Sequence, residues 1–231
     1  MKEMSREYKD QAYQMLAKVG KAVSSPKRLE ILDILTQGSK TVDAIAKEAD
    51  MSIANTSQHL QTLLEARLVV YKKQGLYSYY QLADRTVAAF NRSLQSLAEE
   101  RLSEIKSFRE ALYRDRDNME KIGMDELLTR MKRDDVTLID VRPRDEYEVL
   151  HIPGANSIPL GELEKRLAAL PPGKEIVAYC RGKYCMLSVE AVELLRRHGF
   201  RAIRMEESVQ EWYAQEAVTF APTTPTQLMS E

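Results

Sequence analysis

The sequence predicts two domains of different class: a mainly α domain carrying one β-hairpin, then an α/β domain with a central parallel sheet. Three observations lead there. Apolar residues recur at helical spacing through the first half, interrupted by one pair of β-rich runs around a glycine. From Met124 onward, short apolar runs alternate with helical patterns. Between the two lies RDRDNME, residues 114–120, a charge-dense stretch that reads as a linker. The expected segments are a first domain over 1–113, the linker over 114–120, a second domain over 121–220, and a disordered tail over 221–231.

In the first domain, Tyr8, Ala12, Met15, Leu16, Val19 and Val23 share one helix face. Ser24-Ser25-Pro26 ends that helix and starts another, with a serine N-cap and a proline at the first helical position. Leu29, Ile31, Leu32, Ile34 and Leu35 give the second helix a buried face, and Gly38 closes it. Thr41 to Ala49 is short and amphipathic, with Val42, Ile45 and Ala46 inward. Met51-Ser52 is a turn with a capping serine, and Ile53 to Ala66 is a helix packed through Ile53, Leu60, Leu63 and Leu64. Residues 68–71 and 76–82 then form a hairpin whose tip carries Lys72, Lys73, Gln74 and Gly75. From Asp84 to about Tyr113 one long helix returns, with Val87, Phe90, Leu94, Leu97, Leu102 and Ile105 recurring.

In the second domain, Met124 to Lys132 reads as a helix and Val136 to Val141 as a buried strand. Tyr147 to Ile152 is a short helix or turn, and Ala155 to Ile158 a short strand. Leu160 to Leu170 is a helix stopped by Pro171-Pro172-Gly173. Glu175 to Tyr179 is a second buried strand, Met186 to His198 a helix closed by Gly199, and Arg201 to Met205 a third strand. Val209 to Ala217 is a last helix. Helices covering both faces of a parallel sheet follow from this alternation.

Composition narrows the function. With 44% hydrophobic and 30% charged residues in 231, the chain is of the soluble globular class. No apolar run approaches the length of a membrane span, and the charged, periodic start is unlike a signal peptide. The net charge of −1 is divided unevenly: residues 1–113 hold 17 Lys and Arg against 14 Asp and Glu, and the remainder 17 against 21. The basic half is the better partner for a polyanion. Two cysteines make no disulfide framework. A cytoplasmic setting, where thiols stay reduced, favours a cysteine that does chemistry.

Short helix, turn, helix and hairpin is the winged helix-turn-helix plan, which lays its second helix in the major groove of DNA. The exposed face of that helix would carry Ser52, Asn55, Thr56, Ser57, Gln58 and His59, short or amide groups suited to base edges and phosphates. Lys72 and Lys73 would meet the backbone beside them. A polar helix face is also what solvent alone would select, so the ordered combination carries the reading, not any one residue. The runs Ser25-Pro26-Lys27-Arg28-Leu29-Glu30-Ile31-Leu32, 55–63, Ala66-Arg67-Leu68-Val69 and 75–82 resemble the ArsR/SmtB family of transcriptional repressors. The resemblance spans roughly residues 12–105. It implies a homodimer built from the first and last helices, bound to an imperfect palindromic double-stranded operator. Many members sense metals through Cys or His clusters. This half has no cysteine and only His59, so a metal sensor is not expected there.

Both cysteines lie in VAYCRGKYCMLS, residues 177–188. Metal clip, disulfide, inert core thiol and nucleophile are the options. His151 and His198 are the only histidines of this half, which leaves a tetrahedral site short of ligands. No metal or cofactor is expected. Cys180 ends an apolar strand, and a glycine-containing loop leads directly into a helix. In an open α/β sheet such strand ends form sites, and loop amides with a helix N-terminus favour an anion. Arg181 and Lys183 would add positive charge, and all of this would stabilise a thiolate.

Leu138-Ile139-Asp140-Val141-Arg142 with Glu146, His151-Ile152-Pro153-Gly154-Ala155 and Tyr179-Cys180-Arg181-Gly182 resemble, in order, the rhodanese family of sulfurtransferases. The resemblance covers about residues 120–218. It implies that Cys180 takes sulfane sulfur from a donor such as thiosulfate or polysulfide, holds it as a persulfide, and passes it to a thiol acceptor or cyanide. The amides of Arg181, Gly182, Lys183, Tyr184, Cys185 and Met186 would cradle that persulfide. The six-residue loop from Cys180 to Cys185 matches sulfurtransferases; phosphatases of this fold use seven. Asp140 and Arg142 match the D-V-R element, either as site wall and loop support or as a buried ion pair. His151 is expected to be structural. The family commonly has a small pair before its final Trp, whereas Glu206 and Glu207 precede Trp212 here and would narrow or acidify the site edge. Cys185 is either loop packing or a thiol that attacks the persulfide and closes a disulfide. The resulting expectation is a DNA-binding regulator whose second domain carries, and so senses, reactive sulfur. The alternative is chiefly a sulfurtransferase whose DNA-binding half localises or dimerises it.

Overall fold

A computed structural model describes residues 2–114 and 120–213, with side chains for 5–111 and 120–213. The linker core 115–119, the end of the expected last helix beyond 213 and the expected tail 221–231 lie outside the described residues. The chain divides into two compact units, Met1–Glu110 and Ala111–Glu231.

The first unit opens with α1 (Lys2–Val23). Only its C-terminal end is embedded: Ala22 is buried and Val19 and Val23 flank the core, while Tyr8, Tyr13, Met15 and Leu16 stand in solvent. Ser25 in extended conformation and Pro26 start α2 (Pro26–Leu35), which buries Ile31, Leu32, Ile34 and Leu35. A short strand that the sequence does not announce, β1 (Lys40–Thr41), precedes α3 (Val42–Glu48), whose N-cap Thr41 accepts from the Ala44 N–H at 3.3 Å. Next, α4 (Ile53–Glu65) is capped by Ser52, which accepts from the Asn55 N–H at 3.2 Å. The hairpin pairs β2 (Val69–Gln74) with β3 (Tyr77–Leu82), and β1 adds to β3 in an antiparallel sheet of order β1-β3-β2.

Three expectations change here. Ile53, read as a packing residue, is 52% exposed because it stands at the first turn, beyond the edge of the core. The hairpin ladder runs on to Gln74 opposite Tyr77, so Lys72 and Lys73 lie within β2 and the tip is Gly75-Leu76. Gly75 takes a left-handed φ of 60°, which makes so short a turn possible. Lastly, the long helix from Asp84 is two: α5 (Arg85–Arg101) and α6 (Ser103–Arg114), separated by Leu102 at φ −116°, ψ 88°. The break lets Arg109 reach Glu99 at 3.2 Å, both half-buried. In a straight helix that separation of ten residues is about 15 Å of rise.

The second unit runs β4 (Lys121–Ile122), α7 (Met124–Lys132), β5 (Val136–Asp140), α8 (Arg144–Val149), β6 (Asn156–Ser157) and α9 (Leu160–Arg166) with one 3-10 turn (Leu167–Ala169). Then come β7 (Glu175–Tyr179), α10 (Leu187–Arg197) and β8 (Ala202–Met205), with 209–213 helical again. The strands pair in parallel in the order β4-β8-β7-β5-β6. The pleat sorts their side chains. Ile176 and Ala178 of β7 and Ile139 of β5 join Leu163, Val189, Val192 and Leu195 on one face. Val177, Tyr179 and Leu138 join Leu127, Ile152 and Trp212 on the other. Both faces are covered, so β7 is apolar throughout rather than alternating.

Candidate functional site

Cys180 follows β7, the middle strand, at its carboxyl end, and continues the alternation of Ile176 and Ala178 into the first core face. It is 3% exposed. Its Sγ lies 3.2 Å from Ser188 Oγ and 3.5 Å from the Cys185 carbonyl oxygen, to which its thiol donates. The thiol is pulled down to about pKa 6, chiefly by hydrogen bonding from the Cys185 side chain. Burial opposes that shift, while the Ser188 hydroxyl and the Ser188 and Gly182 N–H groups add to it. Cys185 is pushed the other way: as donor to Cys180, and buried, its thiol is held protonated.

The loop is shaped by two contacts. The Cys185 N–H donates to the Gly182 carbonyl at 3.0 Å, folding the chain back on itself. Gly182 has φ 108°, and a Cβ there would stand 3.0 Å from that of Ser208. No larger residue fits a loop pressed this closely against the 206–212 segment. Ser208 is fixed in turn by Glu211, whose Oε2 accepts from its N–H at 2.6 Å.

Several expected roles are revised by this geometry. The amides do not all face one sulfur: Gly182 and Ser188 address Cys180, Arg181 and Leu187 address Cys185, and the Cys185 amide is spent on the turn. Arg181 gives its guanidinium to Glu146, Nε to Oε2 at 2.9 Å, and Glu146 is itself 1% exposed. Its charge is matched there. Asp140 and Arg142 form a fully buried ion pair, Nη2 to Oδ2 at 2.6 Å. Arg142 also donates to the Leu150 carbonyl at 2.7 Å, which ties β5 to the end of α8. Glu206 pairs with Lys121 at 2.8 Å, and Glu207 accepts from the Met124 N–H at the start of α7. His151 is held by the Tyr147 carbonyl at 2.8 Å and stacks on the Tyr147 ring. Tyr184 and Lys183 form the outer rim, Tyr184 being 51% exposed.

Sequence reasoning missed Ser188, Ser208 and Glu211. Ser188 had one signal: a small hydroxyl residue in the first turn of the helix that follows the loop.

In the first unit, α4 presents Ser52, Asn55, Ser57 and Gln58 to solvent, with His59 half-buried. Thr56 is a correction. It is fully buried with Leu60 and Leu63, its hydroxyl donating to the Ser52 carbonyl at 3.0 Å. Internal satisfaction of that one polar group lets a threonine occupy the core stripe, out of reach of DNA. Lys72 and Lys73 are exposed along β2, and Leu76 at the tip is 99% exposed.

Comparison with known proteins agrees with both halves. Residues 25–71 match the model for bacterial regulatory proteins of the arsR family, and residues 123–215 match the rhodanese-like domain. The HTH-type transcriptional regulator Rv0324 of Mycobacterium tuberculosis is 39% identical over 198 residues, covering 85% of this chain and 86% of that protein. YrkF of Bacillus subtilis, named as a candidate sulfur carrier, is 36% identical over 33% of this chain and 41% of its own length. The homodimeric winged helix-turn-helix DNA-binding domain of Mb0332 from Mycobacterium bovis is 37% identical over 41% of this chain and 87% of that one, with a TM-score of 0.39. No described helix is long and apolar enough to cross a membrane. The chain belongs to the ArsR family of helix-turn-helix transcriptional regulators, in a form joined to a rhodanese-like domain.

Proposed function

We propose that this regulator reads a DNA operator as a cytoplasmic homodimer and responds to sulfane sulfur carried on Cys180. The observation that supports it best is the state of Cys180. It is a thiol at the carboxyl end of the middle strand, buried at 3% exposure, yet drawn toward thiolate near neutral pH chiefly by the Cys185 side chain, with a hydroxyl and two amides adding to it. A core cysteine that only packs has no use for such an environment. A thiolate attacks the outer sulfur of a thiosulfate or polysulfide, and the same N–H groups stabilise the anion that results.

The first unit supplies the readout. Asn55, Ser57 and Gln58 on α4 reach base edges, and Lys72 and Lys73 on the wing neutralise phosphates. The exposed stripe Tyr8, Met15 and Leu16 on α1, with Leu97 on α5, has the composition of a surface meant for a second copy. A two-fold dimer places its reading helices on half-sites about one helical turn apart. The sulfur acceptor is a thiol.

Two measurements test this reading. Selection from random duplexes yields a palindromic operator, and polysulfide is consumed by the native chain but not by Cys180→Ser. Rapid thiosulfate-to-cyanide turnover with no sequence preference for DNA would overturn it in favour of a chiefly catalytic protein.

A further inference from the structure

Two sulfurs share one cradle. Cys180 is the sulfur at the strand end; the Gly182 and Ser188 N–H groups favour its thiolate, and those of Arg181 and Leu187 favour that of Cys185. The hairpin-like turn from Gly182 to Cys185 brings the second cysteine back over the first, so that the Cys185 carbonyl is 3.5 Å from Cys180 Sγ. The two side chains hydrogen-bond to each other, and both belong to the same packed cluster. Cys185 is the more exposed of the pair. A sulfur atom added to Cys180 therefore enters a space already lined by a thiol.

We propose that Cys185 resolves the persulfide on Cys180 by attacking its inner sulfur, leaving a Cys180–Cys185 disulfide and hydrosulfide. This rests on the reading of Cys180 as the sulfur acceptor. In the first step the Cys180 thiolate attacks a terminal polysulfide sulfur. A Cys180 S–S bond forms, a polysulfide S–S bond breaks, and the polysulfide leaves one sulfur shorter. In the second step a bond forms between Cys185 Sγ and Cys180 Sγ. The bond from Cys180 Sγ to the outer sulfur breaks, and that sulfur departs with the electron pair and the Cys185 proton. The two cysteines are oxidised, and the sulfane sulfur, reduced to sulfide, is the oxidant. No oxygen or other acceptor is needed. Cys185 attacks as thiolate, its proton passing to the outer sulfur that leaves as hydrosulfide. The consequence is that the stored signal is a disulfide spanning the six-residue loop, and the persulfide is transient.

The test is anaerobic treatment of the full chain with inorganic polysulfide, without added thiol, followed by peptide mass spectrometry and sulfide measurement. The native chain is expected to show the Cys180–Cys185 peptide lighter by two hydrogens, with one sulfide released per disulfide. Cys185→Ser is expected to keep one extra sulfur on Cys180 and to release no sulfide beyond the Cys180→Ser background. A native chain that holds the extra sulfur on Cys180, with no disulfide, overturns the resolving role and leaves the carrier reading intact. A Cys185→Ser chain that takes up no sulfur, while the native chain also stays reduced, overturns the carrier reading and this inference with it. The native arm discriminates by itself should the variant fold poorly.

Discussion

The two units spend their side chains in opposite ways. In the second unit the chemistry is inside: Asp140, Arg142, Glu146 and Cys180 are each at most 3% exposed, and every charge among them has a partner. In the first unit the chemistry is outside. Of the large apolar side chains that stand exposed among the described residues, only Val149 and Tyr184 belong to the second unit. The rest lie on α1, α4, the wing, α5 and α6, or at the Leu102 break between the last two. A closed core keeps bulk water from the groups inside it. An open surface of apolar helix faces and polar reading residues is how macromolecules are met. One chain thus joins a unit whose strand-end cysteine is buried to a unit whose apolar helix faces stand exposed.

The contrast can be broken most forcefully inside the second unit. Asp140→Ala takes from Arg142 its close buried partner, leaving Glu146 at 4.0 Å, and is expected to cost about 3–5 kcal/mol. Chemical denaturation followed by Trp212 fluorescence reads the second unit alone, because Trp212 is the single tryptophan. Circular dichroism of the helices of the first unit should move little. On the first unit, Leu16→Glu leaves folding intact, since Leu16 is 64% exposed, but weakens association by about 2–3 kcal/mol. Analytical ultracentrifugation reads the shift toward monomer. Gln58→Ala should lose about 1–3 kcal/mol of discrimination between operator and mutated operator in a binding titration. Thr56→Val, on the same helix but buried, should leave that discrimination unchanged.

The smallest effect sharpens the comparison most. Thiolate absorbance of Cys180 should rise with a midpoint near pH 6, and Ser188→Ala should move that midpoint toward the ordinary thiol range. The sign follows from a depressed acid. The folded thiol has a lower pKa than the unfolded one, so its contribution to stability is present above the unfolded value and lost as pH falls through about 6. Sulfur uptake should fall over the same interval.

What the sequence made legible follows the range of the interactions involved. The strand, glycine loop and helix around Cys180 are local, and their pattern alone places Cys180 at a strand end before a helix. Thr56 misleads because spacing and residue type disagree: it sits four before Leu60 on the core stripe, but its hydroxyl suggests the surface. The break at Leu102 has no glycine or proline to announce it, and the Arg109–Glu99 pair that accompanies it shows only in three dimensions. Arg181 is visible as a charge, but its partner Glu146 lies thirty-five positions earlier on α8, so its neutralisation is invisible in sequence. Ser188 is the plainest case: a serine in a helix's first turn reads as ordinary until a sulfur is found 3.2 Å away.

The proposal stands or falls on whether sulfur carried on Cys180 changes operator binding. Operator affinity of the full chain, reduced and after anaerobic polysulfide, tests it directly with Cys180→Ser alongside. The account predicts a change in affinity on treatment that Cys180→Ser abolishes. Equal affinity in both states of the native chain, with Cys180 demonstrably modified, would contradict it.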